Sequence, residues 1–232
     1  MMRQAILLTF LTLAMSSNAQ EKKMLVYIAD PMCSWCYGFT KEITKIKKIF
    51  ENDLQFGMIM GGLRPYNKEV MDEKLVKFLR EHWEDIGKKT GQSFRYNVLN
   101  WENFQYDTEP AARAVVVARS IVPAKEFDYF KHVQNSFYAL NQHPHDVDTY
   151  VRIARDLAID ATEFEKRFLS QEYMIKTSKD FELSRKLGIN GFPSLLLVVG
   201  EKSYIVVTSG YSKAAPLIAK IQEVLDEAAQ DK

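Results

Sequence analysis

The chain has 232 residues, with 31 Lys and Arg against 30 Asp and Glu and a formal net charge of +1, so it offers no general electrostatic attraction to nucleic acid. Its length is enough to bury a substantial core. Only 2 cysteines are present, which excludes a disulfide-stapled scaffold.

The N-terminus reads Met1-Met2-Arg3, then an apolar stretch from Ala5 to Met15, then small residues at Ser17 and Ala19. A basic start, a short apolar core and small residues ahead of a cleavage point predict a secretory signal peptide over 1–19. The competing reading is an N-terminal anchor, but the apolar core is short for a bilayer span and no cysteine stands at the cleavage point to carry lipid. No later run is apolar for long enough to cross a membrane, so stable membrane insertion is not expected.

Met24 to Ala29 is an apolar run that reads as a strand, and Phe39, Ile43, Ile46 and Phe50 recur at helical spacing after it. Between them lies Asp30-Pro31-Met32-Cys33-Ser34-Trp35-Cys36, so the Cys-x-x-Cys pair opens a helix. The first turn of a helix has unpaired amides and the positive end of the helix dipole. A thiolate at Cys33 gains from both, and its pKa is expected below the free value of about 8.5. Cys36, one turn on, is expected to face inward and to attack the Cys33 sulfur of a mixed disulfide. Two plainer readings compete. A structural disulfide here closes a very short loop, worth roughly 2 kcal/mol. Half a zinc site lacks a second Cys-x-x-Cys.

Leu54 to Met60 reads as a second strand, stopped by Gly61-Gly62, which either lets backbone approach the active site or simply turns the chain. From about Glu69 to Leu169 the pattern is mostly helical. Val70, Met71, Leu75, Phe78, Leu79 and Trp83 predict one amphipathic helix, ending near Gly87 or Gly91. Trp101, Phe104 and Tyr106 fall in a weakly periodic stretch, where core packing is favoured over a binding loop. Pro110 suits a first helical turn, and Ala111 to Val117 predict a helix buried on several sides. Phe127, Phe130, Val133, Phe137 and Leu140 mark another, and Val147, Val151, Ile153, Ala154 and Leu157 the next. Asp160 caps a short helix through Phe168 and Leu169. His143 and His145, two apart on a loop, read as solvated side chains rather than metal ligands, as do His82 and His132. Lys41, Lys45, Lys47 and Lys48 read as the wet face of the first helix.

After a helix ending at Leu187-Gly188, Pro193 stands directly before an apolar strand that runs to Gly200, and Ser203 to Thr208 reads as its hairpin partner. Leu217, Ile218, Ile221, Val224 and Leu225 mark a last helix.

Taken together, Cys33-Ser34-Trp35-Cys36 and the distant Gly191-Phe192-Pro193, in that order around a helical stretch, resemble the thioredoxin superfamily, and within it the DsbA-like family of thiol-disulfide oxidoreductases. The resemblance covers nearly the whole chain after the leader. It implies an α/β thioredoxin fold with an inserted helical subdomain, divided as 22–66 and 176–230 for the thioredoxin-like part and 67–175 for the insertion. It implies a cis bond between Phe192 and Pro193 beside the cysteines, a peptide-binding surface of Phe192, Pro193, Ser34 and Trp35, and catalysis by Cys33 and Cys36. Protein or peptide thiols and disulfides are the expected partners, with an unidentified redox recycling partner, a periplasmic location and no nucleotide or metal cofactor. The buried acid that many relatives carry on the first strand is replaced by Tyr27. Asp30 is a possible substitute for tuning the thiols, although a turn carboxylate facing solvent is the more ordinary assignment. The resemblance extends to glutathione-dependent isomerases, so a glutathione-dependent isomerase or transferase acting on a small aromatic substrate is an alternative. A non-enzymatic binding module with a structural disulfide is another.

Overall fold

The computed structural model describes residues 23–200 and 203–230, the side chains of 228–230 excepted. The expected signal peptide, 1–19, lies outside the described residues, as does the hairpin tip at Glu201 and Lys202.

Among the described residues four strands form one sheet: β1 (Met24–Ala29), β2 (Gln55–Met60), β3 (Ser194–Gly200) and β4 (Ser203–Ser209), in the order β2-β1-β3-β4. β1 pairs with β2 in parallel and with β3 antiparallel, and β3 and β4 form the hairpin. A strand paired on both sides and covered on both faces must be apolar throughout, which is why β1 reads as a continuous run rather than an alternation. Leu25, Tyr27 and Ala29 enter the main core, while Val26 and Ile28 pack on the other face with Ile59, Ile189 and Leu196.

The helices are α1 (Ser34–Ile49), α2 (Glu73–Thr90), α3 (Glu109–Ile121), α4 (Glu126–Tyr138), α5 (Val147–Asp156), α6 (Ala161–Phe168), α7 (Gln171–Lys186) and α8 (Ala214–Gln230). α1 is the crossover between β1 and β2, and the helices from α3 to α7 come before β3 as an inserted subdomain, so the architecture is the expected thioredoxin-like α/β fold with a helical insertion. Every residue from Ala111 through Ala118 is buried, as a helix surrounded on all sides requires. Asp72, Asp146 and Asp160 cap α2, α5 and α6 by accepting hydrogen bonds from first-turn amides.

Three details depart from the periodicity. The Asp72 cap starts α2 at Glu73, so Val70 stays outside it and bridges to Gln105. Phe78 is 55% exposed, because the buried stripe of α2 is Leu79, Trp83 and Ile86 and Phe78 lies beside it, stacked on His82. Leu140 falls beyond the end of α4 and is exposed. Gly87 lies inside α2, which ends at Gly91 in a left-handed turn with φ of 67°. The Lys41 ammonium donates to the Gly91 carbonyl at 2.7 Å, tying this end of α2 to α1.

β2 is an edge strand, and the insertion rather than another strand satisfies its outer polar groups. Arg119 of α3 donates to the Met58 carbonyl at 2.9 Å, and Asp180 of α7 accepts from the Met60 amide at 3.0 Å. The two side chains also pair with each other at 2.9 Å, and Arg119 reaches Glu126 at 3.1 Å. An open edge is a template for unwanted strand pairing, and this clamp closes it. Arg119 and Asp180 keep 28% and 14% side-chain exposure, so Asp180→Ala is expected to cost about 2 to 3 kcal/mol in urea unfolding, below the range for fully buried pairs.

Candidate active site

The chain leaves β1 at Ala29 and enters α1 through a turn built on Asp30. The Asp30 carbonyl accepts from the Cys33 amide at 3.0 Å, and the Cys33 carbonyl accepts the amide of Tyr37 at 3.0 Å, which makes Cys33 the N-cap of α1. The expected solvated carboxylate at Asp30 is corrected by the structure: the side chain is 0% exposed. One oxygen accepts the Met32 amide at 2.8 Å, closing the turn, and the other accepts the Leu63 amide at 2.7 Å and the Thr108 hydroxyl at 2.9 Å. A carboxylate this deep must be paired by donors, and here no cation supplies them. Burial pushes its pKa up to about 6, against the lowering effect of the Leu63 and Met32 amides and the Thr108 hydroxyl.

The same turn is held from the insertion. The Met32 carbonyl accepts the Tyr106 hydroxyl at 2.8 Å and the Tyr138 hydroxyl at 2.6 Å. Tyr138 also stacks on Tyr37 of α1, with ring centroids 4.8 Å apart. Thr108, at the N-terminus of α3, spends its hydroxyl on Asp30 and makes no cap of its own, while Asp107 accepts the amides of Tyr66 and Glu109.

Both thiols are free, Cys33 5% exposed and Cys36 0%. An incoming sulfur therefore meets Cys33. The Cys33 thiol donates to the Phe192 carbonyl at 3.6 Å, and the peptide bond from Phe192 to Pro193 is cis, so the distant proline motif does lie against the cysteine pair. Burial, then the Cys33 thiol's hydrogen bond and charge, push the Cys36 thiol up well above its ordinary range, with the Asp30 amide opposing. Ser34 is buried, and Trp35 is half-buried, 5.5 Å from the Tyr211 ring and 5.7 Å from His82. The Lys89 ammonium sits 5.5 Å from both the Trp35 and Tyr211 rings.

Of the two readings of Gly61-Gly62, close approach is the one that holds. A Cβ on Gly61 would lie 2.2 Å from the Phe192 ring, and Gly62, at φ of 72°, faces Phe181. The Phe192 ring thus rests on a bare backbone, which fixes the carbonyl facing Cys33. Phe104 and Tyr106 are buried as expected for core rings, but Tyr106 also serves the active-site turn. His143 and His145 are exposed and stack on Trp101 and Phe104, and no group of three or more metal-binding side chains occurs among the described residues.

Comparison with known proteins gives the same picture. The family model for the DSBA-like thioredoxin domain matches residues 24–214. A candidate protein disulfide isomerase from Nitrosomonas europaea is 32% identical, with 89% of this chain and 99% of that one aligned and a TM-score of 0.83. The cytosolic disulfide reductase DsbM from Pseudomonas aeruginosa shares the fold at 19% identity, with 88% and 98% covered and a TM-score of 0.72. No curated protein is similar enough to count as a match.

Two outcomes are expected. Because the folded-state pKa of Asp30, about 6, lies above the ordinary 3.8, the native state holds this proton more tightly than the unfolded chain. Its contribution to stability is therefore full below the unfolded value and is lost as pH rises through the folded one. Urea unfolding of the protein and of Asp30→Asn should show the wild type losing about 3 kcal/mol relative to the variant over that window. Gly61→Ala should cost about 1 to 3 kcal/mol by overpacking against Phe192 and should slow reaction of Cys33 with a disulfide reagent.

Proposed function

The chain belongs to the DSBA-like thioredoxin domain family and is a thiol-disulfide oxidoreductase, and on that basis we propose that Cys33 and Cys36 exchange disulfides with protein or peptide substrates in the direction of dithiol oxidation or disulfide isomerisation. One observation carries the reading: Cys33 caps α1 at the rim of the site with its thiol on the Phe192 carbonyl, and Cys36 is sealed behind it.

Cys33 is the nucleophile. It stands where α1 offers unpaired amides and positive dipole to a sulfur anion. In oxidation, a substrate thiolate attacks the Cys33 sulfur of the Cys33-Cys36 disulfide, Cys36 leaves, and a second substrate thiol displaces Cys33 from the mixed disulfide. In isomerisation, Cys33 attacks a substrate disulfide and is displaced after the substrate has rearranged. Phe192 and Pro193 supply the backbone that a substrate lies against, and Ser34 and Trp35 shape the rim. Asp30 tunes the pair, since its carboxylate places negative charge beside Cys36 and holds the turn that presents Cys33.

Export through a leader at 1–19 to the periplasm, and recycling by a separate redox partner, complete the proposal. The division into 22–66 with 176–230 and an insertion at 67–175 belongs with it. No helix among the described residues is long and apolar enough to cross a membrane, and the near-zero net charge argues against nucleic acid as a substrate.

The test is exchange with a dithiol peptide and with a scrambled disulfide substrate. Cys33→Ser should reduce both to background. Cys36→Ser should accumulate a mixed disulfide at Cys33, found by mass after an acid quench. Undiminished turnover of a small aromatic substrate with glutathione by Cys36→Ser would instead identify a glutathione-dependent isomerase or transferase. Client binding that ignores Cys33→Ser, with no exchange, would leave a binding module.

A further inference from the structure

Side chains along β1 alternate between the faces of the sheet, and Tyr27 points into the layer that contains α1. It is fully buried there, its ring 6.0 Å from Phe39 of α1 and 5.9 Å from Phe130 of α4. Phe39 lies three positions after Cys36, on the same side of the helix. The phenol therefore lies against α1, and Cys36 and Cys33 are both close enough to perturb its hydroxyl, Cys36 the more strongly. In the dithiol state that hydroxyl makes no hydrogen bond of good geometry.

A buried hydroxyl without a partner is unfavourable, and phenylalanine fills the same space without the penalty. Packing alone thus gives no reason for the oxygen. Burial, and then the charges of Cys36 and Cys33, raise the Tyr27 pKa well above its ordinary range, so the phenol keeps its proton and has it to donate.

We infer that Tyr27 is a positioning residue for the buried half of the exchange: its hydroxyl donates to the Cys36 sulfur whenever that sulfur carries negative charge, steadying it as attacking or departing thiolate. The inference rests on the Cys33 and Cys36 chemistry proposed above. When the reduced protein meets a disulfide, Cys33 first forms a mixed disulfide with one half and releases the other. Next, a lone pair of the Cys36 sulfur forms a bond to the Cys33 sulfur. The bond from Cys33 to the substrate sulfur breaks, and its electron pair leaves with the substrate. The proton given up by Cys36 ends on the released thiolate, so the protein dithiol is oxidised and the substrate disulfide is reduced. Tyr27 retains its own proton throughout. In the reverse direction the same hydrogen bond receives the departing Cys36 thiolate.

The two steps separate when the reduced protein is mixed with oxidised glutathione, quenched with acid and followed by mass. Formation of the glutathionylated Cys33 species reports the first step, and its decay to the internal disulfide reports the second. Tyr27→Phe is expected to leave the first rate within about twofold and to slow the second by about ten- to a hundredfold, the loss of one hydrogen bond to a charged group. A Tyr27→3-fluorotyrosine protein, with a stronger donor of nearly the same shape, should resolve faster than wild type and answers the question if the phenylalanine variant folds poorly. An unchanged second step, or equal slowing of both steps, overturns the role of Tyr27. Failure of wild-type Cys33 to form the glutathionylated species overturns the exchange reading itself.

Discussion

The Asp30 carboxylate holds together the parts of the molecule that must meet at the thiols. It closes the turn between β1 and α1 through the Met32 amide, reaches the chain after β2 through Leu63, and reaches the start of α3 through Thr108. A buried carboxylate can persist only if most of its acceptor capacity is filled, and these donors come from three separate segments. Removing any one segment would leave charge unpaired in the interior. The cost of burying the anion is thereby converted into a fixed relative position for Cys33, the end of β2 and the helical insertion.

The insertion is therefore part of the site rather than a cover laid over it. Tyr106 and Tyr138 converge on the Met32 carbonyl, and Tyr138 stacks on Tyr37, so the active-site turn is gripped by side chains of the insertion. Arg119 and Asp180 occupy the free edge of β2. Because β1 and β2 run parallel, with Ala29 beside Met60, the two attachments act at the same, C-terminal, end of the strand pair. Together they hold the sheet rigid where Phe192 rests on Gly61 and presents its carbonyl to Cys33. Preorganisation of this kind lets a thiol pair exchange without large rearrangement of its surroundings.

Local pattern was a good guide where a residue's role is set by its neighbours in sequence. The apolar run of β1, the helical spacing from Phe39 to Phe50 and the proline ahead of β3 each specify an element whose reason is local, and the Cys-x-x-Cys at a helix start specifies its own chemistry. Asp30 could not be read that way. A carboxylate after a strand and before a proline looks like an ordinary exposed turn, and the partners that bury it lie 33 and 78 residues farther on. Thr108 looks like a helix cap and is spent on Asp30 instead. Phe78 fits the helical period but lies just off the stripe that Leu79, Trp83 and Ile86 bury, a distinction made by the packing of neighbouring elements and not by spacing. The clash that makes Gly61 necessary arises only once Phe192, far along the chain, is brought against it.

The most direct test of exchange through Cys33 and Cys36 is the equilibrium reduction potential of the pair, titrated in defined glutathione buffers with the thiol state read by alkylation. A reversible two-electron transition between about −120 and about −180 mV is the expected result, and it would place the protein with oxidising and isomerising exchangers. A value near about −270 mV would contradict the proposed direction and mark a reductant, while a pair that never equilibrates with glutathione, although Cys33 can be alkylated, would contradict the exchange chemistry altogether.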